Sequence, residues 1–145
     1  MALAPAGAAA QDQARKESKA ASEALMAGFD ADETGIQDQI DALEEKIGTA
    51  RAPTAEESKK FDDWNAELDD LNNKRRAIIF IDFATLPTRA NVNKMLAQVQ
   101  SARTQLQADK AAVAGVVEKV KRIQARVDQA SKVIATLTKL ATLVV

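Results

Sequence analysis

The chain contains no cysteine, no histidine and no tyrosine. These absences exclude disulfides, metal sites built on cysteine or histidine, and any catalytic triad that needs histidine. Aromatic residues make up only 3% of the 145 residues, so Ala, Leu, Ile and Val must supply most of any core. That composition is typical of helical rods and bundles.

Glycine and proline are also scarce, with 5 and 3 residues. Few turns are therefore expected, and the uninterrupted helical segments should be long. No apolar run approaches the roughly 20 residues of a transmembrane helix. The first ten residues lack the basic start and apolar stretch of a secretory signal. The predicted location is cytoplasmic or within an assembled particle.

The net charge of −1 hides a division between two parts of the chain. Residues 1–87 contain 10 Lys and Arg against 18 Asp and Glu, a net charge of −8. Residues 88–145 contain 10 Lys and Arg against 3 Asp and Glu, a net charge of +7. Attraction between an acidic and a basic segment is expected, within one chain or between neighbouring copies.

The pattern predicts an all-α, elongated helical bundle or coiled coil. Residues 1–10 are interpreted as a flexible arm and residues 11–145 as a single helical domain, with helices at about 11–27, 33–48, 54–85 and 88–144. The segment Gly28–Asp32 is expected to break the first helix from the second. Gly48 is placed as a C-terminal cap, and Thr54 to Glu57 has the form of a capping box.

The second and third helices each carry one apolar stripe at helical spacing. Because the link between them is short, they should form an antiparallel hairpin. The predicted hairpin core consists of Ile36, Ile40, Leu43, Ile47, Phe61, Trp64, Leu68 and Leu71.

The fourth helix carries a heptad seam that keeps one phase from Val92 to Val144, with Asp109 as its one polar residue. A single helix of this length would be about 85 Å long, whereas a compact globule of this size is roughly 40 Å across. The seam must therefore be covered by the acidic hairpin or another copy, or the helix must bend back near Asp109 to Gly115. The predicted interface residues are Val92, Val99, Leu106, Val113, Val116, Val120, Ile123, Val127, Ile134, Leu137 and Val144.

Asp109 is interpreted as a register marker or a water-filled defect in that seam. On this view, Asp109→Leu should raise stability or change the oligomeric state.

One short segment has the spacing of the front of an EF-hand loop. Asp30, Asp32, Thr34 and Asp41 are weak calcium candidates, because carboxylate and hydroxyl oxygens at alternate positions suit Ca²⁺. The position that normally holds a bidentate Glu is the shorter Asp41. The alternative is a polar turn in which Asp30 or Asp32 caps a helix.

No nucleophile motif and no glycine-rich phosphate loop is present, so the sequence predicts no enzyme and no cofactor. Lys119, Lys121, Arg122 and Arg126 form a basic cluster that could contact phosphate. Without interleaved aromatics, a solvated or acid-facing helix side is the favoured interpretation of the cluster.

The stretch Arg51–Lys74, with Thr54-Ala55-Glu56-Glu57, Phe61 and Ala66-Glu67-Leu68, resembles the helical scaffolding segment that precedes the shell domain of tailed-phage capsid proteins. The resemblance covers only this segment and implies an assembly protein of virion type. The leading expectation is a non-enzymatic structural subunit that associates with itself or with a helical partner.

The alternative is a membrane-active helical protein. The apolar segments 77–83 and 133–145 would then contact lipid, with Lys132 and Lys139 at the interface. This arrangement resembles that of α-helical pore-forming toxins in architecture, although no specific motif is shared.

Overall fold

Four α-helices make up the described chain in the computed structural model: α1 (Leu3–Ile47), α2 (Ala55–Ile79), α3 (Arg89–Ala112) and α4 (Val117–Leu143). The structure describes residues 3–79, 81–83, 88–113 and 115–144, with side chains from residue 7 onwards apart from that of residue 77. The helices pack against one another, so the predicted all-α helical bundle is confirmed.

The longest helix is α1, not the C-terminal one. It contains 45 residues and is about 67 Å long. The predicted break at Gly28–Asp32 is wrong, because buried side chains recur at helical spacing straight through it. Ser18, Ser22 and Asp32 are buried members of that stripe, and their polarity concealed its continuity in the sequence. The whole stripe comprises Ala14, Ser18, Ser22, Leu25, Phe29, Asp32, Ile36, Ile40 and Ile47.

The predicted flexible arm is also wrong over its described part, because residues 3–10 already belong to α1. Pro5 does not prevent this, since it lies in the first turn, where a backbone N–H has no helical acceptor to lose. The alanines around it favour helix.

The junction between α1 and α2 follows the predicted local signals. Gly48 adopts φ +60 just after the last residue of α1, a conformation that glycine reaches without steric cost. The Thr54 backbone N–H donates to Glu57 Oε1 at 3.0 Å, and the Glu57 N–H donates to Thr54 Oγ1 at 3.2 Å. This reciprocal pair is the predicted capping box, which is confirmed.

Glu57 should titrate at an unusually low pH. The guanidinium of Arg51 and the backbone N–H of Thr54 lower the pKa of Glu57 from 4.5 to about 2. A depressed native pKa means that the contribution to stability is complete above 4.5 and is lost as the pH falls toward about 2. We expect NMR titration of the carboxyl carbon to show this value, and Arg51→Ala to return it toward 4.5. Thr54→Ser, which keeps the cap, is the control; equal pKa values in all three proteins would contradict the assignment.

The second helix ends earlier than predicted, at Ile79 and not near residue 85. The Ile81 N–H donates to the carbonyl oxygen of Ile78 at 3.0 Å, which tightens the chain out of the α-helix. Ile81 is buried and Phe83 partly buried, and both lie beside the middle of α1. The predicted helical residues 80 and 84–85, and Pro87, lie outside the described residues.

The predicted single helix from residue 88 to 144 is wrong. The helix starts where the sequence predicts, at about residue 88, and Thr88 is its N-cap, with the Asn91 N–H donating to Thr88 Oγ1 at 3.2 Å. The helix then ends at Ala112, and a second helix starts at Val117. Gly115, with φ +99, lies in the reversal between them. The expected bend near this glycine is thus a complete turn, because folding back lets both halves of the apolar seam be covered within one chain.

Helix α4 lies antiparallel to α1 along most of its length. The side chain of Gln11 donates to the Leu143 carbonyl oxygen at 2.6 Å, and Lys139 pairs with Glu17 at 3.2 Å. Small residues of α1 face α4 and allow close approach, including Ala14, which is fully buried.

Helix α3 lies antiparallel to α4 on its other side. Arg89 Nε donates to the Ala141 carbonyl oxygen at 3.0 Å, and Arg103 Nε donates to Ser131 Oγ at 2.8 Å. Helix α4 is therefore the central helix of the bundle, with α1 and α3 on either side.

Helix α2 packs on α1 and α3, alongside only part of their length. Arg75 binds the carboxylates of Asp30 and Glu33 in α1, and Glu67 binds Arg122 in α4. The expected attraction between acidic and basic segments is thus present within one chain, through Glu67–Arg122 and the α1–α4 ion pairs.

Candidate protein interface at the α3–α4 turn

The turn between α3 and α4 is held by its own backbone hydrogen bonds. The Val113 N–H donates to the Asp109 carbonyl oxygen at 3.1 Å, and the Val116 N–H donates to that of Val113 at 3.1 Å. The Val120 N–H donates to the Val116 oxygen at 2.9 Å. These bonds fix the direction in which the turn presents its side chains.

Two adjacent valines of this turn point into solvent. Val116 is 54% exposed and Val117 is 63% exposed. Ile79, at the end of α2, is the other strongly exposed large apolar residue among the described residues. Full burial of a valine stabilises by roughly 1.5–3 kcal/mol. Covering this exposed pair with a partner would therefore be favourable.

A cleft of about 510 Å³ lies between this turn and α2. Trp64, Val113 and Val116 supply its apolar surface. The Trp64 ring is braced edge-to-face by Phe61, with ring centroids 6.1 Å apart. We refer to the exposed valines and this cleft together as the turn surface, made of Trp64, Val113, Val116 and Val117.

Charges of both signs surround the cleft. Lys60 and Asp63 line it from α2, whereas Glu118 and Lys119 line it from α4. None of these four side chains forms an ion pair within the described part of the chain. A polar rim around an apolar centre is the usual arrangement of a protein interface.

A bidentate ion pair supports the cleft from below. Arg122 Nη2 lies 2.9 and 3.1 Å from the two carboxylate oxygens of Glu67, and Arg122 Nε lies 3.2 Å from Oε1. Glu67 is only 8% exposed. This fork geometry fixes α2 against α4 and so sets the width of the cleft.

Deeper in the bundle, the ammonium of Lys74 lies between two carboxylates. Lys74 is 3% exposed; it donates to Asp70 Oδ2 and, at 2.5 Å, to Asp109 Oδ2. The Asp109 of the predicted seam is therefore an ion-pair partner for a buried lysine and not a water-filled defect. We call these three residues the lysine bridge.

The two carboxyl groups of the lysine bridge have opposite pKa shifts. Burial raises the pKa of Asp70, and the nearby Asp109 adds to this effect against the attraction of Lys74. Burial also acts to raise the pKa of Asp109, but the hydrogen bonds from Lys74 and Asp70 and the charges of Lys74 and Lys119 outweigh it, so that pKa is lowered.

Most of the predicted interface residues are covered inside the chain. This corresponds to the alternative in which the helix bends back near Gly115, because α3 and α4 cover each other and α1 covers α4. The fully covered residues are Val92, Val99, Leu106, Ile123, Val127, Leu137 and Val144. Partly covered are Val113, Val120 and Ile134, and only Val116 is exposed.

The predicted hairpin core divides into two groups. Ile36, Ile40, Ile47 and Leu71 are buried. The partly exposed group is Leu43, Phe61, Trp64 and Leu68. Trp64 belongs to the turn surface, and Phe61 contacts it.

The calcium candidates lie on an unbroken helix and do not form a loop. Successive helical residues are 100° apart, so residues at alternate positions point to different sides. Asp30 binds Arg75, and Asp32 binds Arg126. No cluster of acids suited to a metal ion occurs in the part of the chain that the structure describes. The interpretation as an EF-hand-like loop is therefore wrong, and so is the alternative of a capping turn.

The basic cluster and the apolar segments are also occupied internally. Arg122 and Arg126 pair with acids of α2 and α1. The proposed lipid-contacting segments bury Ile78 and Ile81 in one case and Leu137 and Leu140 in the other. Among the helices described, none combines the length and the apolar character needed to cross a bilayer.

Sequence reasoning missed Val117 and Lys74. Val117 lies just outside the heptad phase, and Lys74 resembles an ordinary surface charge of a helix. The signal that could have identified Val117 is its position two residues after Gly115, the one glycine inside the predicted fourth helix.

Comparisons with known proteins identify no relative of this chain. A scan against protein-family models, a search of curated proteins and a search of solved structures each found no match.

Proposed function

We propose that this chain is a non-enzymatic structural subunit that assembles by helix packing, with copies of itself or with a helical partner. The observation that carries the proposal is the exposed apolar pair Val116 and Val117 beside the aromatic cleft. Their turn is internally hydrogen-bonded, so it needs little ordering when a partner binds.

The surface has the composition of an interface core. An aromatic residue and three valines form its centre, and charged side chains lie at its rim. Interfaces favour aromatic residues at the core and exclude charge from it. The turn lies at a loop between helices, where binding residues are commonly presented by a rigid scaffold.

One exposed stripe of α3 supports the same proposal. Its residues follow a 4-3 spacing and, apart from one lysine, are small and uncharged. Removing water from uncharged side chains costs less free energy than removing it from the charged side chains of α1 and α2. The residues are Ala90, Lys94, Ala97, Ser101, Thr104, Ala108 and Ala111.

The test is sedimentation velocity combined with small-angle scattering from micromolar to millimolar protein. We expect the mass to increase reversibly with concentration. A monomer at every concentration would contradict self-assembly. Vesicle dye release tests the membrane-active alternative: the buried apolar segments predict silence, and release at micromolar protein would favour that alternative.

A further inference from the structure

We propose that the turn surface binds the turn surface of a second copy, in a closed dimer with two-fold symmetry. This inference rests on the proposed function and identifies the partner and its arrangement. The α3–α4 turn and the adjoining part of α2 carry both a projection and a recess.

The projection is Val117, which is 63% exposed. The recess is the cleft of about 510 Å³ between α2 and the turn, with Trp64 and Val113 on its surface. Val116 lines the recess and is adjacent to the projection. The volume is ample for a valine side chain and its flanking turn.

The adjacency of projection and recess determines the symmetry. When both lie on one surface, a two-fold rotation places each projection in the other copy's recess, and the assembly closes at two. If they lay at opposite ends of the bundle, the same contact would repeat without closing and would build a filament.

The rim charges suit this arrangement. Inserting the start of α4 from one copy into the cleft of the other brings Glu118 and Lys119 toward the partner's α2. That helix presents Lys60 and Asp63 at the cleft, so each charge can meet one of opposite sign. Since none of the four forms an ion pair within its own described chain, forming them across the dimer breaks no existing pair. Such pairs act mainly on orientation and specificity.

The contact area predicts a weak dimer. The cleft lies between α2 and the turn, and helices pack about 10 Å apart, so a contact roughly 20 Å across offers on the order of 400 Å² per copy. Stable interfaces bury about 800 Å² per partner. The dimer should therefore exchange with monomer across an accessible concentration range.

The decisive variant is Val117→Lys, measured by sedimentation velocity beside Ile79→Lys. Ile79 is 57% exposed at the far end of α2, so this control makes the same chemical change at a matched exposure. We expect Val117→Lys to weaken dimerisation by about tenfold or more and Ile79→Lys to leave it unchanged. The melting temperature of each variant checks that folding is intact.

A charge exchange tests the orientation. Lys60→Glu and Glu118→Lys should each weaken the dimer, and the double variant should restore it. A double variant no better than the worse single variant would overturn the two-fold arrangement.

The outcomes separate this inference from the proposed function. Association that Val117→Lys does not alter, or growth beyond a dimer, would overturn the two-fold contact and leave assembly standing. A wild-type chain that stays monomeric at every concentration would overturn both the dimer and self-assembly.

Discussion

Gly28→Ala is expected to destabilise the bundle by about 2 kcal/mol, although alanine is the better helix former. A Cβ at this position would lie 1.1 Å from Arg126 Nη1 and 2.4 Å from the Gln129 side-chain oxygen. Gly28 therefore provides the space in which the Arg126 guanidinium lies against α1. The substitution must displace that side chain.

Displacing Arg126 leaves a buried carboxylate without its counter-charge. Arg126 Nε lies 3.1 Å from Asp32 Oδ2, as an ion pair and not as an aligned hydrogen bond. Both residues are at most 9% exposed. Breaking a buried pair costs roughly 3–5 kcal/mol, against about 1 kcal/mol gained in helix propensity. The loss of the ion pair is therefore expected to dominate.

Gly35→Ala is the matched control, seven residues further along the same helix. A methyl group added at Gly35 would have no atom within 4 Å, so only the propensity gain of about 0.5–1 kcal/mol remains. Urea unfolding of both variants measures the difference. If Gly28→Ala were as stable as Gly35→Ala, the role assigned to Gly28 would be wrong. In an Arg126→Met background, Gly28→Ala should no longer destabilise.

The deficit of Gly28→Ala should also depend on pH. Burial raises the pKa of Asp32 above 3.8, and the charges of Arg126 and Arg122 oppose that shift. Moving Arg126 away pushes the pKa of Asp32 further up. A native pKa above the unfolded one means that stability increases as the pH falls through the raised value. The loss of stability caused by Gly28→Ala should be largest at neutral pH and should disappear below pH 3.8.

Signals that depend on neighbouring residues were predictable from the sequence. The cap at Gly48 and the box from Thr54 to Glu57 are each defined by chemistry within one helical turn. A terminal hydrogen bond or a positive φ needs no distant partner, so these features survive any arrangement of the bundle.

Signals that depend on distant partners were not predictable. In the sequence, Gly28 and Asp32 resemble residues that end a helix. In the structure they do not, because the side chain of Arg126 packs against Gly28 and pairs with Asp32. The reversal at Gly115 was ambiguous for another reason. The heptad phase is the same whether the two halves of the seam continue as one helix or fold back on each other. The choice between the two arrangements depends on the packing of α1 against α4, which the heptad pattern does not show.

The turn surface was predictable only in part. Val113 and Val116 belong to the heptad seam, but nothing in the periodicity indicates that Val116 would be exposed while Val127 is buried. That difference arises because the chain reverses between Ala112 and Val117.

Removing the acids of the lysine bridge is expected to cost more than removing the lysine. Lys74 is 3% exposed, whereas the side chains of Asp70 and Asp109 are 50% and 38% exposed. Lys74→Met leaves two carboxylates that water can still reach, and the expected loss is about 1 kcal/mol. The double variant Asp70→Asn/Asp109→Asn leaves a buried ammonium without a counter-charge, and the expected loss is about 3 kcal/mol.

Asp69→Asn is the control for the double variant, because Asp69 is an exposed carboxylate adjacent to Asp70 that forms no ion pair within the described residues. The free energy of unfolding in urea should be nearly unchanged for it. A larger loss for Lys74→Met than for the double acid variant would show that the buried ammonium is not the source of the cost.

The lysine bridge also reverses the effect expected for Asp109→Leu. A polar residue in an apolar seam suggests that leucine would raise stability, but in the structure the leucine removes one of two partners from a buried ammonium. Alone, Asp109→Leu should cost about 1–2 kcal/mol. In the Lys74→Met background the ammonium is gone, so the same change should be neutral or stabilising. A measured change of sign between the two backgrounds would assign the cost to the buried ammonium; a loss of equal size in both would assign it to the packing of α3.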